Sequence, residues 1–577
     1  MRGTATVGID FGSNNTCVYY NEDNKGATPV HFENYRSVLV GRENNDPKAI
    51  AENNELLFFT NYSSNNGQTK SWLHEHDNRY NCYNESLEVA GGVPVNRPNV
   101  LVKKMDQYEI TTQAGILHYN MKWLDDDKGK QKKGAFLKSI WLQTCAYLYT
   151  NKIKPTTLEW SCPGSMMEAD INELDKIYNS LCKLTPIVGA KTTLAYHQNA
   201  VTEAEAVCSY ALSQNFGLNS NNMFLGIDVG GSTSDILLLA KDSDNGNKAT
   251  LYRESSVRLA AGVFFNAVIK SDTFRQALLS FHEGHKTNVY VSNIKEILTE
   301  PSKAPYFLNS IFDQLKTTED YEEFYSSIDV NAKFVFTIPA YVTGMLLYYS
   351  GMLIGKTIKA EHLERVSRVD VLSFGKGGRL FHWLINSAGV RATREYYADC
   401  LNAGVRLVVG KELDVVYRDE IAEDNKAEVA KGLCDPKELE KKAFSSESDI
   451  CGESGVKYIM TNGAPKELQA EDELTGDYFA NEMNNFDFSG IENFEKFMNI
   501  FLDFVSVKTH LYPQADNALR SDLADLPNRI ASYICNNDTE YRKARNSEDG
   551  SFHYHQPLII AEGVCFLDTL IKKVFDQ

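Results

Sequence analysis

Asp10, Gly12, Ser13, Asn14 and Asn15 form a polar knot inside the apolar stretch "VGIDFGSNNTCVYY" at 7–20. A second knot, Asp228, Gly230, Gly231, Ser232 and Thr233, interrupts "LGIDVGGSTSDILLLA" at 225–240. Aligned from Gly8 and Gly226, the copies match Gly, Ile, Asp and Gly in register, and such internal repetition points to two related lobes. Apolar alternation on both sides of each knot predicts a strand–turn–strand hairpin. Gly and Asn tolerate the positive-φ backbone that turns successive N–H groups inward as an anion nest, and the hydroxyls of Ser13, Ser232 and Thr233 add donors. That is phosphate chemistry. An aspartate ending each incoming strand would repel a phosphate unless a divalent cation stood between them. Magnesium, which keeps several waters and takes one or two carboxylates, meets that need, so Asp10 and Asp228 are the expected metal-side carboxylates. Taken singly, each knot also reads as a plain polar hairpin turn; the repeat favours phosphate.

The rest of the chain must supply two lobes, and its length of 577 residues is enough for about four domain-sized units. A hydrophobic share of 43% and a charged share of 24% are those of a globular protein. The net charge of −18 argues against nucleic acid as the main partner, because phosphate backbones call for concentrated Lys and Arg. The basic cluster "KGKQKKGAFLK" at 128–138 reads as a solvated loop entering a helix. Eleven scattered cysteines without C-x-x-C spacing predict no disulfide framework and a reducing, cytoplasmic setting. The uncharged run at 334–355 is long enough to cross a bilayer, but Pro339 and its Gly, Thr and Tyr content favour a strand, a Pro turn and a buried helix, hence no membrane span. "SGMLIGKT" at 350–357 lacks the first glycine of a P-loop and is set aside. His553 and His555 share a strand face without companion ligands and read as surface histidines.

The two knots resemble the phosphate hairpins of the actin, sugar-kinase and heat-shock-chaperone superfamily, and are most similar to the nucleotide-binding domain of the seventy-kilodalton heat-shock chaperones. The first shares Gly-Ile-Asp10-x-Gly12 and the Cys17-Val18 strand. The second follows their Asp-x-Gly-Gly-Gly-Thr-x-Asp pattern from Asp228 to Asp235, with Ser232 in place of the third Gly. Other landmarks arrive in the family's order: "SCPGSM" at 161–166, "NAVTEAEAVCSYAL" at 199–212, "RLAAGVFFNAVI" at 258–269, "VDVLSFGKGGRLFHWLI" at 369–385 and "DNKAEVAKGLC" at 424–434. The resemblance covers roughly residues 5 to 434 and is most specific at the hairpins.

It implies an α/β, two-lobed actin-like ATPase fold of two RNase H-like lobes with inserted subdomains. Lobe one would span 1–222, lobe two 223–423, and a crossing helix at 424–434 would return to lobe one. It also implies ATP or ADP as ligand with Mg2+, held by Gly12, Ser13, Asn14, Asn15, Gly230, Gly231, Ser232 and Thr233. Gly375, Gly377, Gly378 and Arg379 would lie on the adenosine side. Glu203 would orient the attacking water, and Lys70 would reach the transferred phosphate. Thr202-Glu203-Ala204-Glu205 is equally a capping box with Glu205 at its third position, which leaves Glu203 free for the other role.

After residue 434 the family pattern stops. From Asp435 onward there are 26 acidic and 14 basic residues. Nine acids and no base lie between Glu467 and Glu495, interleaved with Tyr478, Phe479, Phe486, Phe488 and Phe494. Residues 435–577 are therefore expected to form an acidic, mainly helical C-terminal extension: a protein-partner surface or a solvated loop, followed by amphipathic helices. The linker and β-rich peptide-binding domain of a heat-shock chaperone are not recognisable. The leading function is an ATP-binding, slowly hydrolysing switch that controls a partner through lobe opening and closing. Alternatives are an actin-like filament, a small-molecule kinase, or a nucleotide-binding scaffold without turnover.

Overall fold

The computed structural model describes residues 3–32, 116–213, 218–268, 334–418, 427–441, 450–537 and 556–575, apart from short breaks, with the backbone of short strands between 68 and 94. Asn14, Ser232, Tyr478, Phe479, His553 and His555 lie outside the described residues, as do the side chains of Asn15 and Lys70. The strands that matter here are β1 (Gly3–Phe11), β2 (Asn15–Glu22), β3 (Ala27–Pro29), β4 (Gln68–Lys70), β5 (Ile153–Cys162), β6 (Thr193–Leu194), β7 (Asn222–Val229), β8 (Ser234–Asp242), β9 (Lys248–Val257), β10 (Arg368–Phe374) and β11 (Asp414–Tyr417). The helices are α1 (Asp127–Thr150), α2 (Glu168–Cys182), α3 (Glu203–Ser213), α4 (Ala261–Val268), α5 (Thr337–Ala360), α6 (Arg379–Ala388), α7 (Val390–Val409), α8 (Glu428–Cys434), α9 (Glu492–Leu502), α10 (Ala515–Asn537) and α11 (Leu558–Phe575).

The fold is α/β with mixed sheets, and the described chain forms two compact units. The first draws on Met1–Gln214 and Ala422–Glu438, the second on Asn215–Ala267, Asp329–Ile421 and Leu439–Gln577.

In the first unit the sheet order is β6–β5–β1–β2–β3. β1 runs antiparallel to β2 and parallel to β5, and β2 runs antiparallel to β3. Period-two alternation sends Val7, Ile9 and Phe11 into one core with Phe136, Ile140 and Trp141 of α1 and Leu174 and Tyr178 of α2. Cys17 and Tyr19 point the other way, into a second cluster with Ala427, Ala430 and Cys434 around α8. α8 lies so close to β1 that a Cβ on Gly8 would stand 2.6 Å from the Ala430 carbonyl O. The basic cluster is not a loop: helix α1 begins at Asp127, and Lys133 is buried against α2 in an ion pair of 2.9 Å with Glu173. Its aliphatic stem packs along the helix interface while its charge finds a partner.

The core of the second unit's sheet matches the first: within a six-stranded sheet that carries one more short strand (Glu440–Lys441) beyond β9, the order β11–β10–β7–β8–β9 has the same sequence of antiparallel and parallel pairings about its first strand. Asp370 on β10 is pinned by Arg368 at 2.7 Å, Arg418 at 2.9 Å and Asn222 at 3.0 Å. Burial would raise its pKa, but these donors hold the carboxyl below the usual range.

Two sequence expectations fail in this unit. Among the described residues the expected strand and Pro turn are not formed: residues 334–336 make a short 3-10 turn that leads straight into α5, with Pro339 in the first helical turn. Pro is tolerated there because the missing N–H has no intrahelical partner to lose. Among the described residues α5 is the one helix long and apolar enough to cross a membrane, and its apolar window is wholly buried inside the protein. Nor do the C-terminal residues form a separate extension: α9, α10 and α11 belong to the second unit's core. The Tyr341 hydroxyl donates to Gly563 O at 2.9 Å and that of Tyr348 to Asn493 O at 3.0 Å, tying α5 to α11 and α9. Phe486, Phe488 and Phe494, expected on an acidic partner surface, are buried at 7%, 3% and 0% exposure. Aromatic area of this size is favoured inside, and the acids between take the solvent side. All cysteines among the described residues are free thiols.

Candidate functional site: two polar hairpin turns

Both knots are hairpin turns of the same length. β1 and β2 pair as far as Phe11 opposite Thr16, leaving residues 12–15 as the turn; β7 and β8 pair as far as Val229 opposite Ser234, leaving 230–233. Asp10 and Asp228 occupy the same place, one residue before the last strand position, and are 1% and 9% exposed. Opposite them stand Cys17 in the first copy and Asp235 in the second. Carboxylates facing each other across an antiparallel pair are destabilising unless a cation or a proton intervenes.

The turn glycines act by size. Gly230 has no positive φ, contrary to the nest expected there. A Cβ on Gly230 would stand 2.9 Å from the Thr233 carbonyl, which accepts the Gly230 N–H at 2.9 Å. The Gly230 and Gly231 carbonyls accept the N–H groups of Ala261 and Gly262, both at 3.1 Å, which anchors the turn on the start of α4. Thr233 is buried, and Ser234 donates to Leu259 O at 2.6 Å.

Beside this second turn lies the glycine turn after β10, whose Phe374 is in register with Asp228. Gly375 has φ +69°, and a Cβ there would overlap Asp228 Oδ1 and stand 2.8 Å from Val229 O. Gly377 is equally constrained, 2.5 Å from Val229 O, while Gly378 leads into half-buried Arg379 at the start of α6. Strand register therefore gathers Asp228, Gly230, Gly231, Thr233, Gly375, Gly377 and Gly378 at one end of the second sheet.

The first unit gathers the remaining residues. β4 pairs with β2 so that Lys70 is opposite Asn15, which brings its backbone to the first turn. Glu203 is the first residue of α3, and the capping box is formed: Glu205 N–H donates to Thr202 Oγ1 at 3.1 Å, and Thr202 N–H to Glu205 Oε2 at 3.2 Å. Glu203 takes no part in it. Its Oε1 is ion-paired with Lys122, whose side chain is 2% exposed against 14% for Glu203. Lys122 sits on a single 3-10 turn, Met121–Trp123, and the neighbouring Trp123 indole N–H donates to Ser13 Oγ at 2.9 Å. Tyr178, stacked on Trp160 at 4.9 Å, completes the surroundings. Burial, with the charges of Asp10 and Glu203 nearby, pushes its phenol well above the usual value.

Sequence reasoning missed Lys122, Trp123 and Tyr178. Nothing in "HYNMKWLDDDK" marks Lys122, since its partner is 81 residues away. Among the described residues no group of three or more His, Cys, Asp or Glu is placed to hold a metal. Against models of known protein families and against curated proteins, the chain has no match.

Proposed function

We propose that this protein is a Mg2+-dependent, ATP-binding and slowly hydrolysing nucleotide switch with a two-lobed, actin-like and chaperone-like fold, whose nucleotide state is read by a protein partner. The observation that carries this reading is the duplicated hairpin: two sheets of one strand order, each presenting an aspartate and a four-residue Gly/Ser-type turn at the same register. A duplicated sheet is what a two-lobed fold of this kind requires, and a polar turn conserved in register across the duplication has a common ligand as its simplest cause.

The residues fit magnesium as a substrate-bound ion. Asp10 and Asp228 offer oxygen ligands, and a metal carried by phosphates and water needs only one or two carboxylates. When bound, the metal supplies charge neutralisation on the phosphates. The protein's own part is positioning. Ser13, Thr233 and the turn backbones orient the phosphate chain, and Glu203 orients the attacking water. The water oxygen bonds to the terminal phosphorus, the bond to the ADP oxygen breaks, and the water's proton passes to Glu203. Gly375 and Gly377 allow the backbone to crowd Asp228 and Val229, and the turn they form would face the nucleoside.

Single-turnover hydrolysis of labelled Mg-ATP tests this reading. Glu203→Ala is expected to retain nucleotide and lose about 10²-fold or more in rate, the ordinary contribution of a positioned general base. Asp10→Asn is expected to weaken the magnesium dependence of binding. Absence of ATP binding by the wild-type chain would refute both hairpin assignments.

A further inference from the structure

The Lys122–Glu203 pair is costly to bury. An ammonium 2% exposed and a carboxylate 14% exposed give up most of their hydration, and a buried ion pair is rarely better for stability than an apolar pair of the same volume. Lys122 follows Met121, which is fully buried, and Tyr178 beside Glu203 is fully buried as well. Packing alone would be served by a Leu or Met here. The pair also has a particular geometry. Lys122 engages Oε1 only, and among the described residues Oε2 has no hydrogen-bond partner. The adjacent residue on the same 3-10 turn, Trp123, holds Ser13 in the first phosphate-type turn. One three-residue turn thus fixes the candidate carboxylate and the candidate phosphate turn to each other.

We infer that Lys122 is a positioning residue for hydrolysis: it clamps Glu203 through Oε1 so that Oε2 is presented to the attacking water, and Trp123 keys that clamp to the turn that holds the phosphate. This rests on the function proposed above. Lys122 itself touches neither nucleotide nor water; it acts through Glu203. An Arg can make the same contact from this position, whereas Met leaves the carboxylate able to swing away.

The test is a double-mutant cycle on the full chain, reading single-turnover hydrolysis of Mg-ATP and, separately, Mg-ATP affinity. Lys122→Met is expected to slow hydrolysis by about tenfold or more, a fraction of a general base's usual contribution, while affinity changes by less than about threefold. Lys122→Arg should recover part of the rate. In a Glu203→Gln background, Lys122→Met should cost less than about twofold, because the group it positions is already disabled. Equal losses in both backgrounds, or a wild-type rate in Lys122→Met, would overturn the inference while leaving the functional reading intact. A wild-type chain that binds no Mg-ATP, or binds it without turnover, would overturn both. Should Lys122→Met fail to fold, Lys122→Gln replaces it, and a rate for Lys122→Arg no better than for Lys122→Gln also counts against the clamp.

Discussion

Replacing Gly432 by Ala should destabilise the first unit although it improves the local helix. Gly432 lies in α8 where that helix crosses α3, and an added Cβ would overlap the Ala206 carbonyl oxygen and stand 2.6 Å from its carbon. An ordinary contact begins at 3.4 Å, so the carbon must retreat by 3.4 − 2.6 = 0.8 Å, and the oxygen by more. Backbone on the facing helix cannot yield as a side chain would, and overpacking of this kind costs ~1–3 kcal/mol, occasionally more. The gain in helix propensity is at most ~1 kcal/mol, so the net change is a loss of up to ~2 kcal/mol. Gly134→Ala in α1 provides the control, since nothing lies within 4 Å of its Cβ position. There the propensity term acts alone, and the substitution should stabilise by ~0.5–1 kcal/mol. Both variants are compared by thermal denaturation followed through tryptophan fluorescence, because Trp123, Trp141 and Trp160 all report on this unit. A shift of ~2–4 °C per kcal/mol is resolvable, downward for Gly432→Ala and upward for Gly134→Ala. If both shift upward, α8 and α3 do not cross at the distance described.

Three further outcomes follow from the packing. Glu453 accepts N–H groups from Ser454, Asn493 and Phe494 at 2.7–2.9 Å and caps α9, whereas buried Glu562 has the Glu453 carboxyl as its hydrogen-bond partner. Burial, reinforced by the neighbouring Glu453 charge, raises the Glu562 carboxyl well above the usual range, and burial raises Glu453 too. The folded pair therefore holds a proton that the unfolded chain releases once pH passes the ordinary carboxylate range, so stability should fall as pH rises above that range; Glu562→Gln should flatten that melting profile. Gly375→Ala forces a side chain into φ +69° and onto Asp228, and should cost ~1–3 kcal/mol in melting experiments while weakening Mg-ATP binding in titration calorimetry. Lys133→Met leaves Glu173 with Lys130 alone, at 3.8 Å, and should destabilise by ~0.5–3 kcal/mol in urea titrations, most of it recovered by Lys133→Met/Glu173→Leu.

Local chemistry made much of this molecule legible from its residues. Asp10 and Asp228 with their Gly-rich turns, the Thr202–Glu205 box and the turn after Phe374 are each set within a few residues, where steric and hydrogen-bonding rules act directly. Non-local partners left no such trace. Lys122 and Tyr178 reach Glu203 from other elements, and a lone Lys or Tyr carries no mark of what it will meet. Pro339 misled because the same residue breaks a helix interior and suits its first turn. The C-terminal residues misled because net charge says nothing of the apolar face beneath it: Phe494, Phe497 and Phe501, one helical face, are all buried in the second unit while Glu492 and Glu495 stay outside.

The burial of α5 also bears on how the chain is made. Its apolar window is covered by helices that follow it in sequence: α7, then α9, and last α11, which starts at Leu558, 198 residues beyond Ala360. At ~5–20 residues per second of synthesis, this helix waits roughly 10–40 s for its final partner. During that interval a segment apolar enough for a bilayer is only partly sheltered on the ribosome. A stalled or truncated product ending before α11 would present that surface permanently, as a ready seed for aggregation or a target for cellular triage.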